Sequence, residues 1–149
     1  MPKTIFDTTS RQALLDRIAR LRPDSPRRWG TMTANQMVCH LEDSMRCATG
    51  MTPTQPRNLA ISNHALRWLI IYVMPWPKGK VKTSKEMLLT KPGEFEADKR
   101  RLQEMLEKTA SLSAQGKWSP HPAFGDLSGR DYGVLIHRHV DYHLRQFGV

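Results

Sequence analysis

The chain has 149 residues, which fits one compact domain, and we expect a single domain over residues 1–149. Hydrophobic residues make up 39% of it, enough for a globular core, and no apolar run approaches the roughly 20 residues of a membrane-spanning helix. The formal net charge of +9 fits either an anionic partner or solvated basic faces. Because the N-terminal residues lack the apolar core of a signal peptide, we expect a cytoplasmic protein.

Five segments have the apolar spacing of helices, and none alternates convincingly as a strand would. In chain order the first two are TTSRQALLDRIARL and TANQMVCHLEDSMRCATG. A short apolar helix over residues 59–74 follows, within a long connection from Gly50 to Pro92. The last two are EFEADKRRLQEMLEKTASLS and the segment after Ser128. Short loops elsewhere and one long connection predict an all-α fold, a four-helix bundle with one long crossover and an extra short helix.

Capping patterns mark where the second and the last helix begin. Thr33 is followed three residues later by Gln36, and Ser128 is followed three residues later by Asp131. A hydroxyl residue with such a polar partner at the third helical position predicts a capping box at both sites. Gly50 is the expected C-terminal stop of the second helix.

Three histidines lie within seven residues of the last helix. At about 100° per residue, His139 and His143 fall inside its apolar arc, whereas His137 lies about 160° from His139 and is expected to face solvent. Inward histidines at i and i+4 can share one metal ion. They can equally be hydrogen-bonded core residues, and the spacing alone does not decide between the two interpretations.

A third imidazole on another helix would complete a metal site, and His40 is the best candidate. It shares a face of the second helix with Met37, Ser44 and Cys47. Three histidines from two helices leave coordination positions open, which is typical of catalytic rather than structural sites. His64 has no partner at a suitable spacing and is interpreted as a surface or packing residue. For His121 in SPHPAFG we favour a turn residue over a wall of the pocket.

The sequence resembles the DinB/YfiT-like superfamily. The resemblance is carried by the helical histidine in TANQMVCHLEDSM, the long crossover and the C-terminal His-x-x-x-His. The ending HPAFGDLSGRDYGVLIHRHVDYHLRQFG is similar to that of a DinB-related bacterial family of unknown function. RWGTMTANQMVCHL and PKGKVKTSKEMLLTKPGEFEADKRRL also resemble blocks of that family, so that the resemblance covers nearly the whole chain.

This resemblance implies a four-helix bundle that holds a metal ion with three histidines, here His40, His139 and His143. Relatives often have a second histidine where Tyr142 stands, a departure at the edge of the apolar arc that leaves the three ligands in place. Some members of the superfamily are metal-dependent transferases or isomerases that use low-molecular-weight thiols. The resemblance therefore implies a divalent transition metal as cofactor and, as in some members of the superfamily only, a low-molecular-weight thiol.

The first functional hypothesis is an enzyme that acts on a small molecule. Its ion would be zinc, nickel, iron or manganese and would activate a thiol or water. Around the three histidines we expect Gln146 and Ser44 as inner polar partners, Asp43 as an orienting carboxylate, and Cys47 and Tyr142 near the pocket. Trp29 and Trp76 are expected to shape the mouth of the pocket.

The alternative hypothesis is a bundle that binds a metal or a small ligand without turnover. A nucleic-acid-binding protein is a distant third, because aromatic residues amount to 7% and none alternates with the basic segment PKGKVKTSKE as a stacking platform would. Apolar residues on the extra helix are compatible with a homodimer.

Overall fold

The computed structural model describes residues 1–57, 61 and 63–149. Within these residues the chain forms five α-helices and no β-strand. The helices are α1 (Thr8–Ala19), α2 (Ala34–Ala48), α3 (His64–Tyr72), α4 (Phe95–Ser111) and α5 (Gly129–Gln146). A 3-10 turn (Lys85–Leu88) lies between α3 and α4. The prediction of an all-α fold is therefore confirmed.

Both capping boxes form as the sequence predicts. The Thr33 hydroxyl accepts from the backbone N–H of Gln36, whose side chain accepts in return from the Thr33 N–H. Ser128 and Asp131 make the same reciprocal pair at the start of α5. These local bonds satisfy backbone donors that the first helical turn leaves free, and so they set where the two helices begin.

The extra helix is shorter than the predicted segment over residues 59–74. It begins after Asn63, whose side chain accepts from the backbone N–H of Leu66, and it ends at Tyr72. Leu59, Ala60 and Ser62, which belong to the predicted segment, lie outside the described residues. The apolar run is thus longer than the helix, because a capping side chain rather than hydrophobicity determines the first turn.

The helix α2 lies at the centre of the molecule, and 12 of its residues are buried. It packs against α4, α5 and the 3-10 turn, while α1 packs against α4 and α5, and α3 packs against α5. The largest fully buried side chains are Tyr132, Ile5, Leu14, Ile18, Leu21, Met37, Leu41, Met45, Ile71, Leu102, Leu106 and Leu144. In the described part of the chain, no helix combines the length and apolar character needed to cross a bilayer.

Candidate metal centre

Three imidazoles meet where α2 packs against α5. His40 comes from α2, and His139 and His143 come from successive turns of α5. One nitrogen from each ring lies within 4.8 Å of the others, and the Nε2 atoms of His40 and His139 are 3.1 Å apart. This group could therefore hold a metal ion.

Two of the three rings of the group are buried, and the third is partly exposed. His40 and His143 are buried, with 3% and 8% of their surface exposed, whereas His139 is partly exposed. A small molecule would approach the group from the side of His139.

The helical wheel predicted that His137 faces solvent, and this prediction is wrong. Only 8% of the residue is exposed. The wheel treats α5 alone, but the N-terminal segment crosses that side of the helix. Ile5 donates a backbone hydrogen bond to the carbonyl of Gly133, and a Cβ at Gly133 would lie 2.3 Å from the Thr4 hydroxyl. Tertiary packing thus buries a residue that lies opposite the apolar arc.

The tautomers of His40 and His143 follow from the hydrogen bonds of their Nδ1 atoms. His40 Nδ1 lies 3.0 Å from the carbonyl oxygen of Met87, which can only accept, so that Nδ1 carries the proton. His143 Nδ1 lies 2.7 Å from Oε1 of Gln146, which also accepts. In both rings Nε2 is then left with a free lone pair.

The third ring has a different neighbour at each nitrogen. The Ser44 hydroxyl donates to the carbonyl of Leu41 and lies 3.5 Å from Nδ1 of His139. Nε2 of His139 lies 3.1 Å from the unprotonated Nε2 of His40, so that without a metal His139 can donate a hydrogen bond from Nε2 to His40. A metal ion held by both rings would take the place of that proton.

The donor set therefore fits a transition-metal ion. Within the described residues the group consists of three imidazoles and no carboxylate, and Nδ1 of His40 and Nδ1 of His143 each have an acceptor that fixes the ring. Such hydrogen bonds behind the ligating nitrogen are the usual support of histidine ligands.

Burial keeps all three rings neutral. Desolvation lowers the pKa of His40, and it lowers the pKa of His143 to about 3, with the nearby His40 adding to the effect. Desolvation also lowers the pKa of His139 well below its usual value, and charges on His143, His40 and His121 lower it further. A metal ion would therefore meet neutral rings near neutral pH, each with one unprotonated nitrogen.

Asp43 was expected, from its position on α2, to orient a ligand imidazole, but its carboxylate binds elsewhere. Its two carboxylate oxygens accept from the backbone N–H of Thr90 at 2.7 Å and from the Thr90 hydroxyl at 2.6 Å. The group that orients His40 is the backbone carbonyl of Met87. Residue-type patterns could not identify Met87, because every residue carries such a carbonyl.

Cys47 is buried and its Sγ donates to the carbonyl of Glu86. Burial raises the pKa of its thiol to about 11, so that the thiol is protonated near neutral pH and is a poor nucleophile.

Tyr142 links two loops beside the group. Its hydroxyl accepts from Nε1 of Trp29 and from the backbone N–H of Gly79, and it donates to the carbonyl of Pro77. Its ring stands edge-on to His143, with 5.1 Å between centroids. Tyr142 therefore joins the loop before α2 to the loop after α3.

Trp76 lies beside the exposed ring of the group, with 6.2 Å between its centroid and that of His139. His121 is a turn residue, because its Nδ1 accepts from the backbone N–H groups of Ala123 and Phe124. His64 is exposed and contacts Arg67.

The comparisons with known proteins give one match. Residues 3–148 match a family described as "Protein of unknown function (DUF1569)". No curated protein and no solved structure shows a significant similarity. Because the family match spans nearly the whole chain, the protein belongs to the DUF1569 family.

Proposed function

We propose that this chain is a metalloprotein of the DinB/YfiT-like type, in which His40, His139 and His143 hold one divalent transition-metal ion. The observation that carries the proposal is the convergence of one nitrogen from each of three imidazoles to within 4.8 Å, with Nδ1 of His40 and of His143 bound to acceptors. Zinc, nickel and iron suit imidazole ligands well, and manganese suits them less because it favours oxygen ligands.

The proposed architecture is a four-helix bundle made of α1, α2, α4 and α5. It is supported by the packing of α1 and α2 against both α4 and α5, whereas α3 packs against α5 within the long connection. The metal would thus lie between facing helices, where bundle proteins commonly build such sites.

We propose that the bound ion serves a transferase or hydrolase reaction on a small molecule. When bound, the ion supplies Lewis-acid chemistry that makes a weakly acidic nucleophile reactive near neutral pH. Because the Cys47 thiol is buried and protonated, the nucleophile would be an external low-molecular-weight thiol or water. The chain itself would keep the three rings neutral and oriented and would admit the substrate beside His139.

A second candidate function is metal or ligand binding without turnover. Its candidate ligand sites include two surface cavities away from the three histidines. One of about 590 Å³ lies between α1 and α4, and one of about 390 Å³ lies along α3 and the first turn of α5.

The test is metal analysis of untagged protein together with single-histidine variants. We expect about one equivalent of a transition metal per chain, and little metal in His40→Ala or His139→Ala, because each removes one of three ligands. The matched control is His64→Ala, which removes an exposed histidine outside the group and should bind metal like the parent. Equal metal content in all three variants would show that the site assignment is wrong.

Two further measurements separate the functions. Adding a metal at 100 times its dissociation constant should stabilise the folded chain by about 2.7 kcal/mol, seen as a higher melting temperature. Thiol-transfer and hydrolysis assays on the metal-loaded protein then distinguish the enzyme from the binding module. Turnover that is lost in His40→Ala supports the enzyme, and bound metal without turnover supports the module.

A further inference from the structure

Gln146 lies one helical turn after His143 on α5, and it is only 3% exposed. Its side-chain amide makes two hydrogen bonds. Oε1 lies 2.7 Å from Nδ1 of His143, and Nε2 lies 2.7 Å from the carbonyl oxygen of Trp29 in the loop before α2. The amide therefore connects the imidazole to a loop that is distant in sequence.

The direction of this amide is determined by its partners. The Trp29 carbonyl can only accept, so the NH₂ end of Gln146 must point towards it. The oxygen end then points at His143, and Nδ1 of that ring must donate to it. As a result, the proton of the neutral imidazole lies on Nδ1, and the lone pair lies on Nε2.

The loop is shaped around this amide. The backbone N–H of Arg28 donates to the carbonyl of Gln146 at 2.8 Å, so that two successive loop residues bind main chain and side chain of the same glutamine. Gly30 has a φ of +79°, and a Cβ there would lie 2.6 Å from Nε2 of Gln146. A side chain at position 30 would displace the amide.

We propose that Gln146 is a positioning residue of the metal site. It holds His143 in the Nδ1–H tautomer, which leaves Nε2 as the nitrogen that is free to bind a metal, and the Trp29 carbonyl holds the amide in the required direction. The functional role of this tautomer rests on the proposed metal site, but the tautomer itself can be measured without any metal.

The test compares three variants. Gln146→Met has a similar length and neither hydrogen-bonding group, while Gln146→Glu keeps an acceptor for Nδ1 and loses the donor to Trp29. The matched control is Gln103→Met on α4, a glutamine in the groove between α1 and α4, outside the histidine group. Nitrogen NMR of the metal-free proteins reports which imidazole nitrogen of His143 is protonated, and competition titration with Zn²⁺ reports the affinity.

We expect His143 to be the Nδ1–H tautomer in the parent, in Gln146→Glu and in Gln103→Met, and a mixture of tautomers in Gln146→Met. Loss of a hydrogen bond behind a ligand costs about 10–100-fold in metal affinity, so Gln146→Met should bind Zn²⁺ that much more weakly. Gln146→Glu should recover most of this loss, because its carboxylate accepts from Nδ1. If Gln146 acted only by binding the Trp29 loop to α5, Gln146→Glu would not recover the Zn²⁺ affinity, because it also loses the donor to Trp29.

An unchanged Nδ1–H tautomer in Gln146→Met would overturn the inference, whatever happens to the metal. If Gln146→Met does not fold, Gln146→Asn gives the same test, because its shorter amide cannot reach both partners. A parent that binds no Zn²⁺ but shows the expected change of tautomer would support the positioning role and contradict the proposed metal function. Failure of the two proposals is therefore distinguishable.

Discussion

At the scale of single residues, the candidate site is defined by which nitrogen of each ring carries the proton. A carbonyl and an amide oxygen accept from Nδ1 of His40 and of His143, and Nε2 of His40 lies 3.1 Å from Nε2 of His139. The imidazoles alone do not specify this arrangement, since either tautomer of a neutral histidine is available in water. It arises from the groups behind the rings.

Gly30 provides a stability test at this scale. Its φ is +79° and a Cβ would meet Gln146, whereas Gly125 has a φ of +68° and a Cβ there would meet nothing within 4 Å. Gly125→Ala should therefore lose only the backbone term, about 1–2 kcal/mol of unfolding free energy. Gly30→Ala should lose more, because the amide must also move. Urea unfolding of both variants measures the difference in unfolding free energy. Equal losses would mean that the side chain of Gln146 can move aside without destabilising the fold.

At the scale of elements, residues 86–90 form a strap across one face of α2. His40, Asp43 and Cys47 repeat at helical spacing, and each binds this strap. Their partners are the carbonyls of Met87 and Glu86 and both the N–H and the hydroxyl of Thr90. One face of α2 thus fixes the backbone that orients His40.

Thr90 tests the contribution of the strap. Thr90→Val removes the hydroxyl that donates to Asp43, a residue that is only 3% exposed, and it leaves one carboxylate oxygen without that donor. Such a loss costs about 1–3 kcal/mol of unfolding free energy. Thr90→Ser keeps the hydroxyl and should remain close to the parent in chemical unfolding of the metal-free protein. If valine and serine behave alike, the hydroxyl bond does not hold the strap.

At the scale of the whole molecule, buried histidines make the stability of the fold sensitive to mild acid. The pKa is lowered, mainly by desolvation, for five of the histidines: His40, His121, His137, His139 and His143. For His121 the pKa falls to about 4 and for His143 to about 3, against 6.5 in an unfolded chain. The folded protein therefore carries fewer of these protons than the unfolded chain does in mild acid.

The metal-free protein should consequently lose stability as the pH falls below 6.5. Above that pH both states are neutral at these groups and the full stability is present; below it the unfolded chain takes up protons that the folded chain excludes. For each proton that only the unfolded chain binds, the unfolding free energy falls by about 1.4 kcal/mol per pH unit. Chemical unfolding between pH 7 and 5 measures the slope, and a flat profile would contradict the neutral state of the buried rings.

His121→Asn is the matched variant for this pH profile. An asparagine oxygen can accept from the N–H groups of Ala123 and Phe124, as Nδ1 of His121 does, so that the turn should persist. The variant lacks the titrating ring, and its loss of stability with falling pH should therefore be shallower than that of the parent.

The sequence by itself determined the helices and the histidine pair of this protein. Apolar periodicity and two capping boxes involve residues within a few positions of one another, so local sequence predicts them directly. The same periodicity placed His139 and His143 on one face of α5. It also placed His40 on the face of α2 that carries Ser44 and Cys47.

Only the tertiary structure decided what surrounds these imidazoles. His137 is buried because the N-terminal segment crosses α5, and Asp43 binds Thr90 rather than a ligand ring. The carbonyls of Met87 and Trp29 fix the rings from loops far away in sequence. A backbone carbonyl is common to all residues, so its role depends on where folding places it, and no residue pattern can indicate that position.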